Sequence, residues 1–251
     1  MKAHVKLTVA ESKRLIAKGV AAMEIVKKAL AEGMVSVAKG TTNGRVAEEI
    51  LGKKIDRANY VTGNVTPSKG AREGTKVSAS LPDIVLKKGE IVADLDSVVS
   101  VAEMKQGDVF IKGCNALNYN QKMGGILIGH NRGGTIGGTL GTIVARKIHL
   151  VLPVGLEKSV YADMNEISMK VREDDEYVGG APSLFPVSGH IVTEIEALDT
   201  LAGVKALQVS AGGIAGAEGS VWLLIEGEKK QVEKALKIIE ECRDLEEGAL
   251  F

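Results

Sequence analysis

The chain has 251 residues, enough for one large domain or two modest ones with a substantial core. Lys plus Arg and Asp plus Glu each number 32, so no net field favours nucleic acid or an anionic membrane, and aromatic residues at 3% leave little for base stacking. No uncharged run approaches the ~20 residues that span a bilayer, and the start Met1-Lys2-Ala3-His4-Val5-Lys6 lacks a signal-type apolar core. Cys114 and Cys242 fit no zinc or disulfide spacing, so a reduced, cytoplasmic protein without nucleic-acid or membrane partners is expected. Abundant Lys and Glu with short connections hint at a thermophile.

The elements are expected in this order. Residues 11–32 predict one long helix, with Leu15, Ile16, Gly19, Met23, Val26, Ala29 and Leu30 at helical spacing and Gly33 as its cap. Residues 34–38 predict a buried strand, 39–44 a loop, and 45–51 a short helix closed by Gly52. A strand, a Gly/Thr loop and a helix in that order aim backbone N–H groups at an anion. Residues 60–92 read as β-rich and irregular, with turns at Pro67-Ser68-Lys69-Gly70 and Lys87-Lys88-Gly89-Glu90. A helix over 96–105 is capped by Asp96 or Ser97, a strand covers 109–111, a helix 138–147 and a strand 149–153. This alternation predicts an α/β protein with a mostly parallel, Rossmann-like sheet.

Residues 173–186 mix charge, Gly and Pro and are expected to link a ligand-binding domain at 1–172 to a second domain at 187–251. The second domain predicts a helix over 192–201, a strand over 204–210, a Gly-rich turn at 211–219, a strand over 221–226 and an amphipathic helix over 229–245. Such an α-β-β-α run matches part of a ferredoxin-like α+β sandwich, with Ile191-Val192 available as a further strand. Trp222 and Leu224 fall on one face of the last strand and Leu223 and Ile225 on the other, so both faces are expected to be covered. One cover would be a helix and the other a neighbouring subunit or the first domain, which makes a homo-oligomer the expectation.

Four segments carry the chemistry. Gly40-Thr41-Thr42-Asn43-Gly44 offers amides and hydroxyls to a phosphate or carboxylate, or else is a tight turn whose Thr or Asn caps the next helix. It lacks the Gly-Lys-Ser/Thr ending of a Walker loop. Arg132-Gly133-Gly134-Thr135-Ile136-Gly137-Gly138-Thr139 permits close backbone approach to a ligand, the alternative being a flexible hairpin or interface loop. Lys112-Gly113-Cys114-Asn115, ahead of Asn118, places a lysine, a thiol and an amide at a strand end, and Lys158 follows another strand with Glu157 beside it. Cys114, Glu157 and Glu218 are the candidate catalytic groups, Cys114 being read first as a buried inert thiol. Four scattered His residues offer no ligand spacing, so neither metal nor cofactor is expected.

In order, these loops resemble the superfamily of ribose-5-phosphate isomerase, glucosamine-6-phosphate deaminase and CoA-transferases. Val37-Ala38-Lys39-Gly40-Thr41-Thr42-Asn43 is similar to its first phosphate-binding turn. Residues 108–118 are similar to its strand ending in Gly-Ala-Asp, residues 134–147 to the next loop and helix, and residues 151–158 to the strand whose following Ser-Lys completes the pocket. The resemblance spans roughly residues 34–160 and implies a small anionic metabolite as partner, with sugar-phosphate isomerase-like or acyl/CoA-transfer chemistry. The chain also departs from it. Asn115, Asn118 and Gly or Thr residues stand where the isomerase pattern has acids, and an amide cannot serve as the base beside a carbonyl. Glu218-Gly219 matches the CoA-transferase Glu-Gly dipeptide but falls in the second domain. A non-catalytic metabolite sensor or assembly module is therefore the alternative expectation.

Overall fold

The computed structural model describes residues 1–63, 65, 78–173, 176–178 and 182–243. It is a mixed α/β structure built on three sheets. The largest has six strands in the order β10-β8-β5-β2-β3-β4. Its parallel part comprises β2 (Met34–Val37), β5 (Val109–Ile111), β8 (His149–Pro153) and β10 (His190–Val192), and β3 (Ile84–Lys87) and β4 (Glu90–Ile91) extend it antiparallel. All four residues of β2 and all three of β5 are buried. Runs buried at every position belong to strands covered on both faces.

The chain begins in β1 (Lys2–Leu7), which was not expected and which pairs antiparallel with β12 (Ser220–Glu226). With β11 (Lys205–Gly212) these form a three-stranded sheet, so strand pairing joins the two ends of the chain across the expected domain division. The large core runs without interruption from Val5 and Leu7 through Phe110 and Leu152 to Leu223 and Ile239. A further antiparallel sheet, β6 (Ala116–Asn118), β7 (Met123–Ile128) and β9 (Ser183–Ser188), also escaped the sequence reading. It draws the end of the expected linker into regular structure.

Several helices differ from expectation. The long helix over 11–32 is two helices, α1 (Val9–Ala22) and α2 (Glu24–Glu32), because Met23 leaves the helical region at φ −59° and ψ 135°. Thr8 and Glu11 start α1 with a reciprocal capping box, Glu11 N donating to Thr8 Oγ1 at 3.3 Å and Thr8 N to the Glu11 carboxylate at 2.6 Å. Helix α3 (Thr41–Leu51) begins four residues earlier than expected, and Gly52 closes it in the left-handed conformation. Helix α4 is only Ser97–Ser100, capped by Asp96, which accepts from the N–H groups of Val98 and Val99. Helix α5 (Gly134–Ala145) turns the expected Gly-rich loop into its own first turns. The later helices are α6 (Met164–Lys170), α7 (Glu194–Ala202) and α8 (Lys229–Cys242). The hairpin at Lys88-Gly89 forms as expected, with both residues at positive φ, whereas the turn expected at Pro67-Ser68-Lys69-Gly70 lies outside the described residues.

Glycine lets two elements approach closely. A Cβ on Gly19 of α1 would lie 2.5 Å from the Ala197 Cβ of α7. Gly33 leaves room for the buried Asp108 carboxylate, which accepts from Met34 N at 2.8 Å and Lys105 N at 2.7 Å and so fixes where β2 and β5 begin.

Within this chain, among the described residues, one face of the β1-β12-β11 sheet is covered by helices and the first domain does not cover the other. Leu223 and Ile225 are fully buried on the side where α1, α7 and α8 pack. The other face is open, with Leu207 64%, Val209 52% and Trp222 38% exposed. Three helices suffice for one side, and within this chain nothing among the described residues folds back over the other. On that face Lys6 lies 4.6 Å from the Trp222 ring centroid, an aromatic contact that partly screens the indole.

Candidate anion-binding cleft

The carboxyl ends of β2 and β5 open into a small cleft of about 90 Å³, lined by residues 39–43, 61–63, 112–115 and 158. Ligands of open parallel sheets bind at this edge. The end of β2 is held firmly. Lys39 N donates to Asp83 at 3.0 Å, and Tyr60 OH donates to Val37 O while accepting from Ile84 N at 3.1 Å. Burial drives the Tyr60 phenol far above its ordinary range.

Gly40 precedes α3, and no side chain caps that helix. Its first N–H groups therefore face the cleft with the positive end of the helix dipole behind them. Asn43 spans two strand ends, donating from Nδ2 to Ala38 O at 2.7 Å and to Ile111 O at 3.4 Å. Its Oδ1 is buried without a donor and lies 3.4 Å from where a Gly113 Cβ would stand. Lys112 donates to Gly113 O at 3.3 Å, and Lys158 donates to Cys114 O at 3.0 Å. Burial lowers the Lys112 pKa, the Cys114 thiol and the Asp83 carboxylate raise it, and Lys158 lowers it again.

A second cleft adjoins the first, sharing Thr62, Lys112 and Asn115, and continues along residues 126–130 and 133–136. Its floor includes the first turn of α5, which no side chain caps either. Of the expected ligand-binding residues, Gly40, Thr41, Thr42, Asn43, Lys112, Gly113, Asn115 and Lys158 line the first cleft, and Gly133, Gly134 and Thr135 the second. Arg132, Gly137, Gly138 and Thr139 line neither. Thr139 is fully buried and donates to Thr135 O at 2.8 Å, and Gly138 packs under Val98. Asn118 donates to Ala162 O at 2.9 Å and holds the β6 hairpin to the segment after β8.

The catalytic candidates occupy three different settings. Cys114 faces the first cleft in its backbone, but its sulfur is buried against Gly124, and burial pushes the thiol up to about 11 despite Lys112 and Lys158. A thiol in that state is not a nucleophile at neutral pH. Glu218 accepts from Gly216 N at 3.0 Å inside the exposed β11–β12 turn. Glu157 curls back over Gly155, leaving no room for a side chain there, with its Oε2 buried and unpartnered.

Lys39 and His130 also line the clefts, and sequence reasoning passed over Thr62, which lines both, and Glu194, which meets the segment of Glu157 through Leu156 N. Glu194 opens α7 directly after β10, is fully buried, and accepts from Leu156 N at 3.0 Å. Burial, then the charge of Glu157, raises its pKa to about 7. The available signal was a Thr-Glu pair immediately after an apolar strand. A roomier cleft at the Gly-rich turn, walled by Trp222 and Ile214, carries Lys6 and Glu11 as its only charged lining residues.

Among the described residues no group of three or more His, Cys, Asp or Glu is arranged to hold a metal, and no helix is long and apolar enough to cross a membrane. Comparison with known family models, with curated proteins and with solved structures finds no match to this chain.

Proposed function

We propose that this chain binds a small phosphorylated or carboxylated metabolite, or a CoA ester, in the cleft at the carboxyl ends of β2 and β5. One observation carries the reading: the uncapped first turn of α3 and the ammonium groups of Lys112 and Lys158 meet in a cleft none of whose described lining residues is acidic. Backbone amides and lysines together replace the water shell of an anion. The parallel β2-β5-β8-β10 unit is then a Rossmann-like ligand domain, and β1-β12-β11 with α7 and α8 a ferredoxin-like companion. A cytoplasmic setting goes with this reading and with the two free, buried cysteines. Inorganic phosphate should raise the melting temperature through linkage, and Lys158→Ala should shrink the shift. Absence of any shift across phosphate, phosphate esters, carboxylates and CoA esters would end the proposal.

As an enzyme, the chain would carry out sugar-phosphate isomerase-like or acyl/CoA-transfer chemistry, on the resemblance of its loops to that superfamily. The lack of an acidic lining residue, with Asn115 in the cleft, favours the second reading, a non-catalytic metabolite sensor or assembly module. Ribose-5-phosphate isomerisation should accordingly be absent or far below ~1 per second, an ordinary enzymatic rate. Turnover above that in an aldose–ketose assay would make Glu157 the base to mutate first.

A further inference from the structure

The Gly-rich turn between β11 and β12 lies apart from the anion cleft and has a backbone of its own kind. Gly212, Gly213, Gly216 and Gly219 all take positive φ, and a Cβ on Gly213 would stand 2.0 Å from Ala217 O. Only glycine lets the turn fold back on itself in this way. So folded, it walls a cleft of about 350 Å³ where β1 and β11 end, β12 begins and α1 starts. That volume falls in the range of small-molecule sites.

Trp222 supplies another wall. Its ring stands edge-on to His4, with centroids 5.9 Å apart, and the Lys6 ammonium lies 4.6 Å from its centre, so two neighbours fix its position. Ile214 and Ala217 of the turn extend the apolar lining. Two opposite charges complete the cleft, Lys6 and Glu11. Among the described residues Lys6 forms no ion pair and meets the indole instead. Glu11 accepts from Thr8 N at 2.6 Å with one carboxylate oxygen. Its other oxygen is 4.0 Å from Arg243 Nε, whose guanidinium pairs more closely with Glu240, at 2.8 Å. An ammonium and a carboxylate with capacity to spare thus border an otherwise apolar space. A wholly apolar guest would satisfy neither, and a simple acid or amine only one.

We propose that this cleft binds a free apolar α-amino acid, with its carboxylate on Lys6, its ammonium on Glu11 and its side chain against Trp222, Ile214 and Ala217. The two charges select a zwitterion, and the volume suits one small molecule rather than a peptide. The cleft shares no lining residue with the anion cleft, so the two readings stand or fall separately.

Trp222 is the only tryptophan of the chain, so its emission reports on the cleft directly. Leucine and phenylalanine should change that emission saturably, and titration calorimetry should return the same affinities. Leucinamide lacks the carboxylate, N-acetyl-leucine the ammonium and glycine the side chain, and each should bind about tenfold or more weaker than leucine. Lys6→Met keeps an aliphatic stem over the indole and should abolish the preference for leucine over leucinamide. Glu11→Gln still completes the capping box of α1 and should abolish the preference over N-acetyl-leucine. Equal affinity for leucine and its derivatives overturns the proposal, as do variants that keep both preferences. A silent titration up to about 10 mM overturns it as well. Emission that shifts with protein concentration and not with amino acid also overturns it, and makes a second copy of the chain the occupant.

Discussion

Glu194 shows how one buried residue makes stability depend on pH. Its carboxyl is fully buried at the junction of β10 and α7, with Leu156 N donating to one oxygen and the other oxygen unpartnered. Burial first and Glu157 second raise its pKa from 4.5 to about 7. The folded value lies above the unfolded one, so the stability it confers is complete below pH 4.5 and is lost as pH rises through 7. The loss is roughly 3 kcal/mol at most. Glu194→Gln keeps an acceptor for Leu156 N and carries no charge, so it should flatten the profile between pH 5 and 8 and melt above the parent at pH 8. Parallel profiles for the two proteins would show that Glu194 does not titrate in this range. At the same scale, Cys114 is the buried thiol the sequence suggested.

Glycines have opposite consequences in different helices, which spacing alone does not reveal. Gly19 in α1 touches Ala197 of α7, so Gly19→Val should push the helices apart and cost about 1–3 kcal/mol in urea unfolding. Gly141 in α5 has nothing within 4 Å of a built Cβ. Gly141→Ala should therefore stabilise by about 0.5–1 kcal/mol through helix propensity. An equal effect of both substitutions would mean that the close packing of α1 on α7 is wrongly placed. Other glycines of α5 explain why it was read as starting late. A run of Gly predicts a loop by propensity, yet here Gly133 and Gly134 take positive φ to start the helix and Gly138 makes room for Val98 of α4.

For the whole molecule, the open face of the β1-β12-β11 sheet bears on association. Leu207, Val209, Trp222 and the exposed Ile214 form an uncovered apolar surface of a kind that monomers seldom leave wet. Self-association is the expected outcome, and light scattering at micromolar concentration checks it: a dimer or larger species should appear, and Leu207→Glu should shift it toward monomer. A strictly monomeric parent would remove the homo-oligomer from the proposal.

The sequence alone determined the buried strands β2, β5 and β8, the Gly52 cap, and the cluster of Gly40, Thr41, Thr42, Asn43, Lys112 and Lys158 at the strand ends. Those features rest on local patterns: apolar runs, turn glycines, and polar residues immediately after strands. What is non-local came only from the tertiary structure. The pairing of β1 with β12, the β6-β7-β9 sheet and the hydrogen bond from Leu156 N to Glu194 join residues far apart in the chain. Burial decided the rest, since a Glu side chain such as Glu194 is a solvated charge on a surface and is pushed toward its neutral form only once packing has removed the water around it.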